Sequence, residues 1–199
     1  WGLEAVLKYN PNIKILIPST FYSEGMHFLR GAEFMKPHAK NGIPHTGELV
    51  QVEPGTVSSL YDGCAVAAFD LPILLNVRGE SSLYFNVKDK GMVCVAGCCH
   101  QSILTLADFA RDRIVGGEKM YGVYGGLHIA PFGPMNPDRE HIVKGMGQYG
   151  FEKIACNHCT GLVAVQRMID LGCPVVKGTG RHGCQSDLYV CNGDAVVFG

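Results

Sequence analysis

Apolar positions along the chain change their spacing twice. Leu3, Val6 and Leu7 recur at helical intervals, and the pattern stops at Asn10-Pro11, so a helix opens the chain. Residues 13–17 are apolar except for Lys14 and are closed by Pro18, which reads as a buried strand of α/β type. Ser19 or Thr20 is placed to cap a helix over 21–29. Residues 30–45 carry Gly31, Pro37, Gly42 and Pro44 without a clear period and read as an irregular surface excursion. From Glu48 the runs become strand-length: 49–52, 57–61, 64–69, 73–77 and 83–87. They are parted by Pro54-Gly55, Asp62-Gly63, Asp70-Leu71-Pro72 and Arg78-Gly79-Glu80. A turn at 88–91 leads to the next apolar run, ending at Ala96, and the whole stretch predicts a β-meander.

Beyond Gln101 the spacing alternates between helix and strand. A helix is expected over 101–113, with Ile103, Leu104, Leu106, Ala107 and Ala110 on its apolar face. A strand comes next, over 120–124. Pro137 opens a helix to about Tyr149, at an early position where its missing N–H costs little. A strand at 154–155, a helix over 161–171 and short strands at 174–176, 188–190 and 195–198 complete the chain. A meander followed by βα units predicts an α/β fold of two packed sheets with outer helices.

Three of the predicted strands end in the same way. Gly97-Cys98-Cys99-His100 follows the run to Ala96, Gly125-Gly126-Leu127-His128 follows 120–124, and His158-Cys159-Thr160-Gly161 follows 153–155. Each puts an imidazole at the carboxyl end of a strand, where α/β folds keep their chemistry. One such histidine alone reads as an ordinary surface or core residue. Three in matching positions point to a shared metal, zinc first, with iron or manganese as alternatives, held by His100, His128 and His158. Thr160 and Gly161 open a helix directly after His158, and its N-terminal N–H groups would favour an anionic substrate group there. The plain alternative, an N-cap by Thr160, is compatible with that role. His27, His38, His45, His141 and His182 lie on helical or irregular stretches with no such context, and Gly178-Thr179-Gly180 is too short for a dinucleotide fingerprint.

Nine cysteines is an odd count, and Cys94 sits in an apolar strand where a thiol packs well. A reducing cytoplasm is therefore favoured over a disulfide scaffold, the alternative being an oxidised pair among Cys173, Cys184 and Cys191. Cys156 and Cys159 have the spacing of a zinc knuckle or a redox pair, but no second Cys-x-x-Cys completes a four-thiolate site. Cys98-Cys99-His100 together with Cys156-Asn157-His158-Cys159 also suggests a structural zinc site, beside the reading of Cys98 and Cys99 as mainly turn and packing residues. With 17 basic and 18 acidic side chains there is no electrostatic footprint for nucleic acid or an anionic membrane. No apolar run approaches the roughly 20 residues of a membrane span.

The three histidine motifs, in this order, resemble the metallo-β-lactamase superfamily. Within it they are most similar to the branch of 7,8-dihydropterin-6-methyl-4-(β-D-ribofuranosyl)aminobenzene-5′-phosphate synthases, related to methanopterin biosynthesis, whose members show Gly-Cys-x-His, Gly-Gly-x-His and His-Cys-Thr-Gly segments. The likeness runs from Gly2-Leu3 to the closing 195–198. It implies an αββα sandwich with a metal site at one edge of the sheets. His100 and His158 would be ligands, with His128 at or beside the metal and Cys159 and Thr160 nearby. The superfamily's His-x-His-x-Asp-His signature is absent, and Gly2-Leu3-Glu4-Ala5-Val6 resembles the segment directly after that signature in the superfamily. The expectation is a single metallo-β-lactamase-like domain over 1–199, N-terminally incomplete and lacking its first strands, with the catalytic residues upstream of Trp1. Such a chain alone would bind metal weakly and hydrolyse little.

These residues fit two functional classes. One is a metal-dependent, hydrolase-like enzyme using a metal-activated water on a small anionic substrate, phosphorylated or pterin-linked. The other is a non-catalytic metal-fold subunit or interaction protein, a homo-oligomer or one completed by a partner chain that supplies the N-terminal segment, because an open sheet edge invites pairing.

Overall fold

The computed structural model describes residues 2–22, 42, 46–74 and 77–199. These gather into two compact units, one taking in Trp1–Thr56 and Ala67–Ser81, the other Val57–Val66 and Ser82–Gly199.

In the first unit, helix α1 (Gly2–Tyr9) buries Leu7 completely and carries a Lys8–Glu4 ion pair on its exposed side. Strand β1 (Lys14–Pro18) pairs in parallel with β2 (Glu48–Val52), in register from Lys14↔Glu48 to Pro18↔Val52. The run at 49–52 thus belongs to a separate two-stranded sheet and not to the meander. Parallel strands need a long connection, and 19–47 supplies it. A 3₁₀ turn (Ser19–Tyr22) stands where the sequence predicts the start of a helix over 21–29. The remainder of that helix, and the excursion over 30–45 apart from Gly42, lie outside the described residues.

The turns expected at 70–72 and 78–80 do not form. Strand β4 (Cys64–Leu74) runs through the first and β5 (Val77–Val87) through the second. Asp70 and Arg78 face each other as a cross-strand ion pair, Nη2 to Oδ1 at 2.9 Å, so these polar residues serve pairing and not a turn. Gly79 answers to crowding: a Cβ there would stand 2.6 Å from Pro18 Cβ and 2.8 Å from Thr20 Oγ1.

The larger sheet has the order β3-β4-β5-β6-β7-β8. Strand β3 (Val57–Tyr61) joins β4 through the two-residue turn Asp62-Gly63, as the sequence predicts. Strand β6 (Gly91–Ala96) is antiparallel to β5, from Ser82↔Ala96 to Val87↔Gly91. Strands β7 (Met120–Gly126) and β8 (Lys153–Asn157) then add in parallel. Each parallel step is spanned by a helix, α2 (Ile103–Arg113) before β7 and α3 (Pro137–Gln148) before β8. A further helix, α4 (Leu162–Asp170), follows β8. Val93, Cys94, Val123, Ile154 and Ala155 of the strands are buried, as are Ile103, Leu106, Ala110, Val143, Met146 and Met168 of the helices. The Tyr84 hydroxyl donates to the Leu106 carbonyl at 3.1 Å within this core.

Helix starts obey local chemistry. Ser102 Oγ accepts from Leu104 N at the head of α2, and Asn136 Oδ1 accepts from Arg139 N at the head of α3, with Pro137 in the first turn. Arg167 of α4 holds Glu140 of α3 through both carboxylate oxygens, at 2.7 and 3.0 Å.

The chain's last segment departs from expectation. The strand expected at 174–176 is reduced to a bridge between Val175 and Ile154, and 188–190 and 195–198 form no strand. Side chains take the backbone's partners there. Asp194 accepts from Thr179 N, Thr179 Oγ1 and Cys191 N. The Thr179 hydroxyl and the Cys191 N–H hold its carboxyl below the usual carboxylate range. Cys184 and Cys191 are joined in a disulfide with 5.9 Å between Cα atoms, which is the alternative that the sequence leaves open; Cys173 stands apart from it. Among the described residues, no helix is long and apolar enough to cross a membrane.

Candidate metal centre

Parallel pairing of β6, β7 and β8 brings their carboxyl ends to one edge. Ala96 lies opposite Gly125, Gly125 opposite Cys156, and Gly126 opposite Asn157. The three histidine-bearing segments leave the sheet side by side from these positions. Two of the histidines have left-handed backbone, His128 with φ 44° and His158 with φ 51°, as does Cys99 at 62°. Non-glycine residues held in this region cost energy and cluster where a side chain must be aimed.

The loops are tied together by their backbones. Gly126 N donates to the Gly97 carbonyl at 3.1 Å, and Ala130 N donates to the Thr160 carbonyl at 2.9 Å. Thr160 is the central tie. Its hydroxyl donates to the Asn157 carbonyl at 2.7 Å and accepts from Leu127 N at 3.1 Å, and the residue is 1% exposed. The plain alternative, an N-cap by Thr160, does not hold: Gly161 is the N-cap of α4. Gly161 has φ 85°, and a Cβ on it would collide with the Ala130 carbonyl oxygen at 1.8 Å, so the glycine serves a close backbone approach.

His100 and His128 lie ring to ring, centroids 4.5 Å apart and planes inclined by 44°. His158 stands with Cys98 and Cys159, the ligand atoms of all three within 4.8 Å of one another. Cys159 Sγ also points to the Cys98 carbonyl, at 3.5 Å. By sequence Cys98 reads as a turn residue or as part of a structural zinc site, and the structure sets its thiol beside His158 and Cys159. Cys99 is buried, as a packing residue should be. The Cys156–Cys159 spacing proves misleading. Cys156 lies fully buried in β8, and burial pushes its thiol up to about 12.

A cleft of about 460 Å³ opens beside this edge, lined among others by His158, Cys159, Gly161, Leu162, Phe132 and Tyr189. A neighbouring one shares Asn157, His158, Gln185 and Tyr189 and is walled by the Cys184–Cys191 loop. The first turn of α4 thus lines a cleft whose wall carries an imidazole and a thiol. Imidazole and thiolate donors suit zinc and other thiophilic ions, so the residues present fit a metal.

No protein-family model matches the chain. Among curated proteins it is similar to a 7,8-dihydropterin-6-methyl-4-(β-D-ribofuranosyl)-aminobenzene-5′-phosphate synthase of Methanocaldococcus jannaschii, 36% identical over 95 residues. That match takes in 46% of this chain and 30% of the synthase, well under half of the relative's length. Among solved structures it resembles Tm1679, a metal-dependent hydrolase of the β-lactamase superfamily, with a TM-score of 0.56 and 18% identity over 82% of this chain and 67% of that one. A metallo-β-lactamase from Hirschia baltica aligns at a TM-score of 0.37 and 11% identity, over 71% of this chain and 53% of that one, too distant to add to the assignment. The chain has the α/β fold seen in Tm1679, and over 95 residues its sequence is similar to the Methanocaldococcus jannaschii synthase.

Proposed function

We propose that the protein is a metal-dependent enzyme acting on a small anionic substrate, phosphorylated or pterin-linked, by means of a metal-activated water. The observation that carries this reading is the convergence of the His100, His128 and His158 loops at the carboxyl edge of three adjacent parallel strands, with the His100 and His128 rings 4.5 Å apart. The likeness to a synthase of a phosphorylated pterin compound and to a metal-dependent hydrolase supports it. His100, His128 and His158 would hold the metal. When bound, it polarises a phosphoryl or carbonyl oxygen and lowers the pKa of a water.

The chain's own groups do the rest. Leu162 and Val163, in the first turn of α4, line the cleft, where the helix's positive end favours an anionic substrate group. Phe132 and Tyr189 offer apolar walls to a ring. Thr160, its hydroxyl committed to Asn157 and Leu127, fixes the His158 loop at the wall of the cleft.

Metal analysis of the full chain and of His100→Ala tests the assignment, with turnover of a phosphodiester as the second readout. The variant is expected to lose one equivalent of metal and at least tenfold in any hydrolysis. Unchanged metal content in His100→Ala would reject the histidine site. Metal without turnover in the wild-type chain would favour the non-catalytic alternative.

A further inference from the structure

We infer that Cys98, His158 and Cys159 form a thiolate-rich binding site for a thiophilic divalent ion, zinc first. It rests on the reading above only through His158, which the two donor sets share. The three ligand atoms lie within 4.8 Å of one another, near enough for small side-chain rotations to bring each within bonding distance of one ion. Two thiolates and an imidazole are soft to borderline donors that favour zinc or cadmium over magnesium, calcium or manganese. Three protein donors leave a tetrahedral ion one further position.

The grouping is built into the fold. Cys98 follows β6 and Cys159 follows β8, and these strands are not neighbours; β7 lies between them. Their loops reach each other across Gly126 of β7. A Cβ on that glycine would stand 2.8 Å from Cys159 Sγ, 3.3 Å from His158 Cδ2 and 2.6 Å from the Gly97 carbonyl oxygen. The missing side chain is what lets imidazole and thiol lie over the middle strand. His158 takes a left-handed backbone to be there, and the Asn157–Thr160 turn beneath it is closed by Thr160 N and Oγ1 on the Asn157 carbonyl, at 3.1 and 2.7 Å. Cys156, two residues before His158, is sealed in the core, so nearness in sequence does not explain which thiols gather here.

Binding converts both thiols to thiolates and releases their two protons to solvent. The test is a cobalt(II) titration of the full chain, followed by the near-ultraviolet thiolate-to-metal charge-transfer band, with equilibrium dialysis counting the bound ion. A saturable band at one equivalent is expected. It should be lost in Cys98→Ser and in Cys159→Ser, and kept in His100→Ala, which removes no donor of this site. Far-ultraviolet circular dichroism checks that each variant folds. Cadmium-113 NMR of the unsubstituted chain reads the donor set without any substitution, and a shift in the sulfur-ligated range is expected. Bound metal without the band, a cadmium shift in the oxygen and nitrogen range, or a band that survives both serine variants would overturn the site. Loss of metal in His100→Ala with no thiolate band in the wild type would uphold the histidine centre and reject this one.

Discussion

Cys156 and Cys159 are three positions apart in sequence and opposite in environment. Cys156 is the fourth residue of β8, fully buried, and removing its thiol from water favours the neutral form, raising its pKa from the ordinary 9.0 to about 12. Cys159 lies past the strand end and lines the cleft. Alkylation depends on the thiolate. At pH 8 a three-unit rise cuts the thiolate fraction roughly a thousandfold, before any effect of access. Iodoacetamide labelling followed by peptide mass spectrometry is therefore expected to modify Cys159 in the native protein and Cys156 only after unfolding. Equal labelling of the two would show that the β8 core is open. The same shift sets a pH dependence. The folded state holds the Cys156 proton more tightly than the unfolded state, so this group's contribution is intact below pH 9. It is lost as pH rises from there through about 12.

At the scale of elements, α4 shows how glycine fixes where a helix starts and stops. Gly161 at its head and Gly172 beyond its end both have positive φ, 85° and 76°. They differ in space: a Cβ on Gly161 would overlap the Ala130 carbonyl, while one on Gly172 meets nothing within 4 Å. Gly172→Ala should cost about 1 kcal/mol, the left-handed penalty alone. Gly161→Ala adds a backbone collision beside the His158 loop and should cost at least ~2 kcal/mol more. Urea unfolding of both variants, with m values compared, checks the difference; equal losses would mean that the Ala130 segment gives way freely. Helices α2, α3 and α4 are legible from 3.6-residue periodicity and Pro137, although α2 starts at Ile103 behind its Ser102 cap and not at 101. The turns that the sequence suggests at 70–72 and 78–80 are false signals, since Asp70 pairs with Arg78 across neighbouring strands and Gly79 answers to crowding by the distant Pro18 and Thr20. Apolar runs at 188–190 and 195–198 look like strands, yet the Leu188 N–H donates to Ser186 Oγ and the Val197 carbonyl accepts from Lys153 Nζ. The candidate site is half legible. Histidines at three strand ends can be read from spacing, and the Cys98 and Cys159 segments can be read as candidate zinc donors, but which thiols gather depends on loops that meet over a glycine of the intervening strand.

Over the whole molecule, the candidate donors are unevenly distributed. His100, His128, His158, Cys98 and Cys159 all belong to the unit that contains Ser82–Gly199. Among the described residues, the unit with β1 and β2 has no cluster of three metal-ligating side chains. An ion that binds only the folded state stabilises what it binds by RT ln(1 + [L]/Kd), about 2.7 kcal/mol at a hundredfold excess over Kd. The slowest amides of a unit exchange through its global opening, so that stabilisation appears as a rate change. Hydrogen exchange with and without saturating zinc is therefore expected to slow the core amides of β6, β7 and β8 about a hundredfold, the equivalent of 2.7 kcal/mol. Larger protection should appear in peptides covering 97–102, 126–131 and 157–161, where loops that open locally would be joined through one ion. Strands β1 and β2 carry none of these donors and provide the reference. If zinc left the 97–102 and 157–161 peptides unchanged while β7 slowed, the ion would be held elsewhere in the unit, and neither donor set at the strand edge would stand.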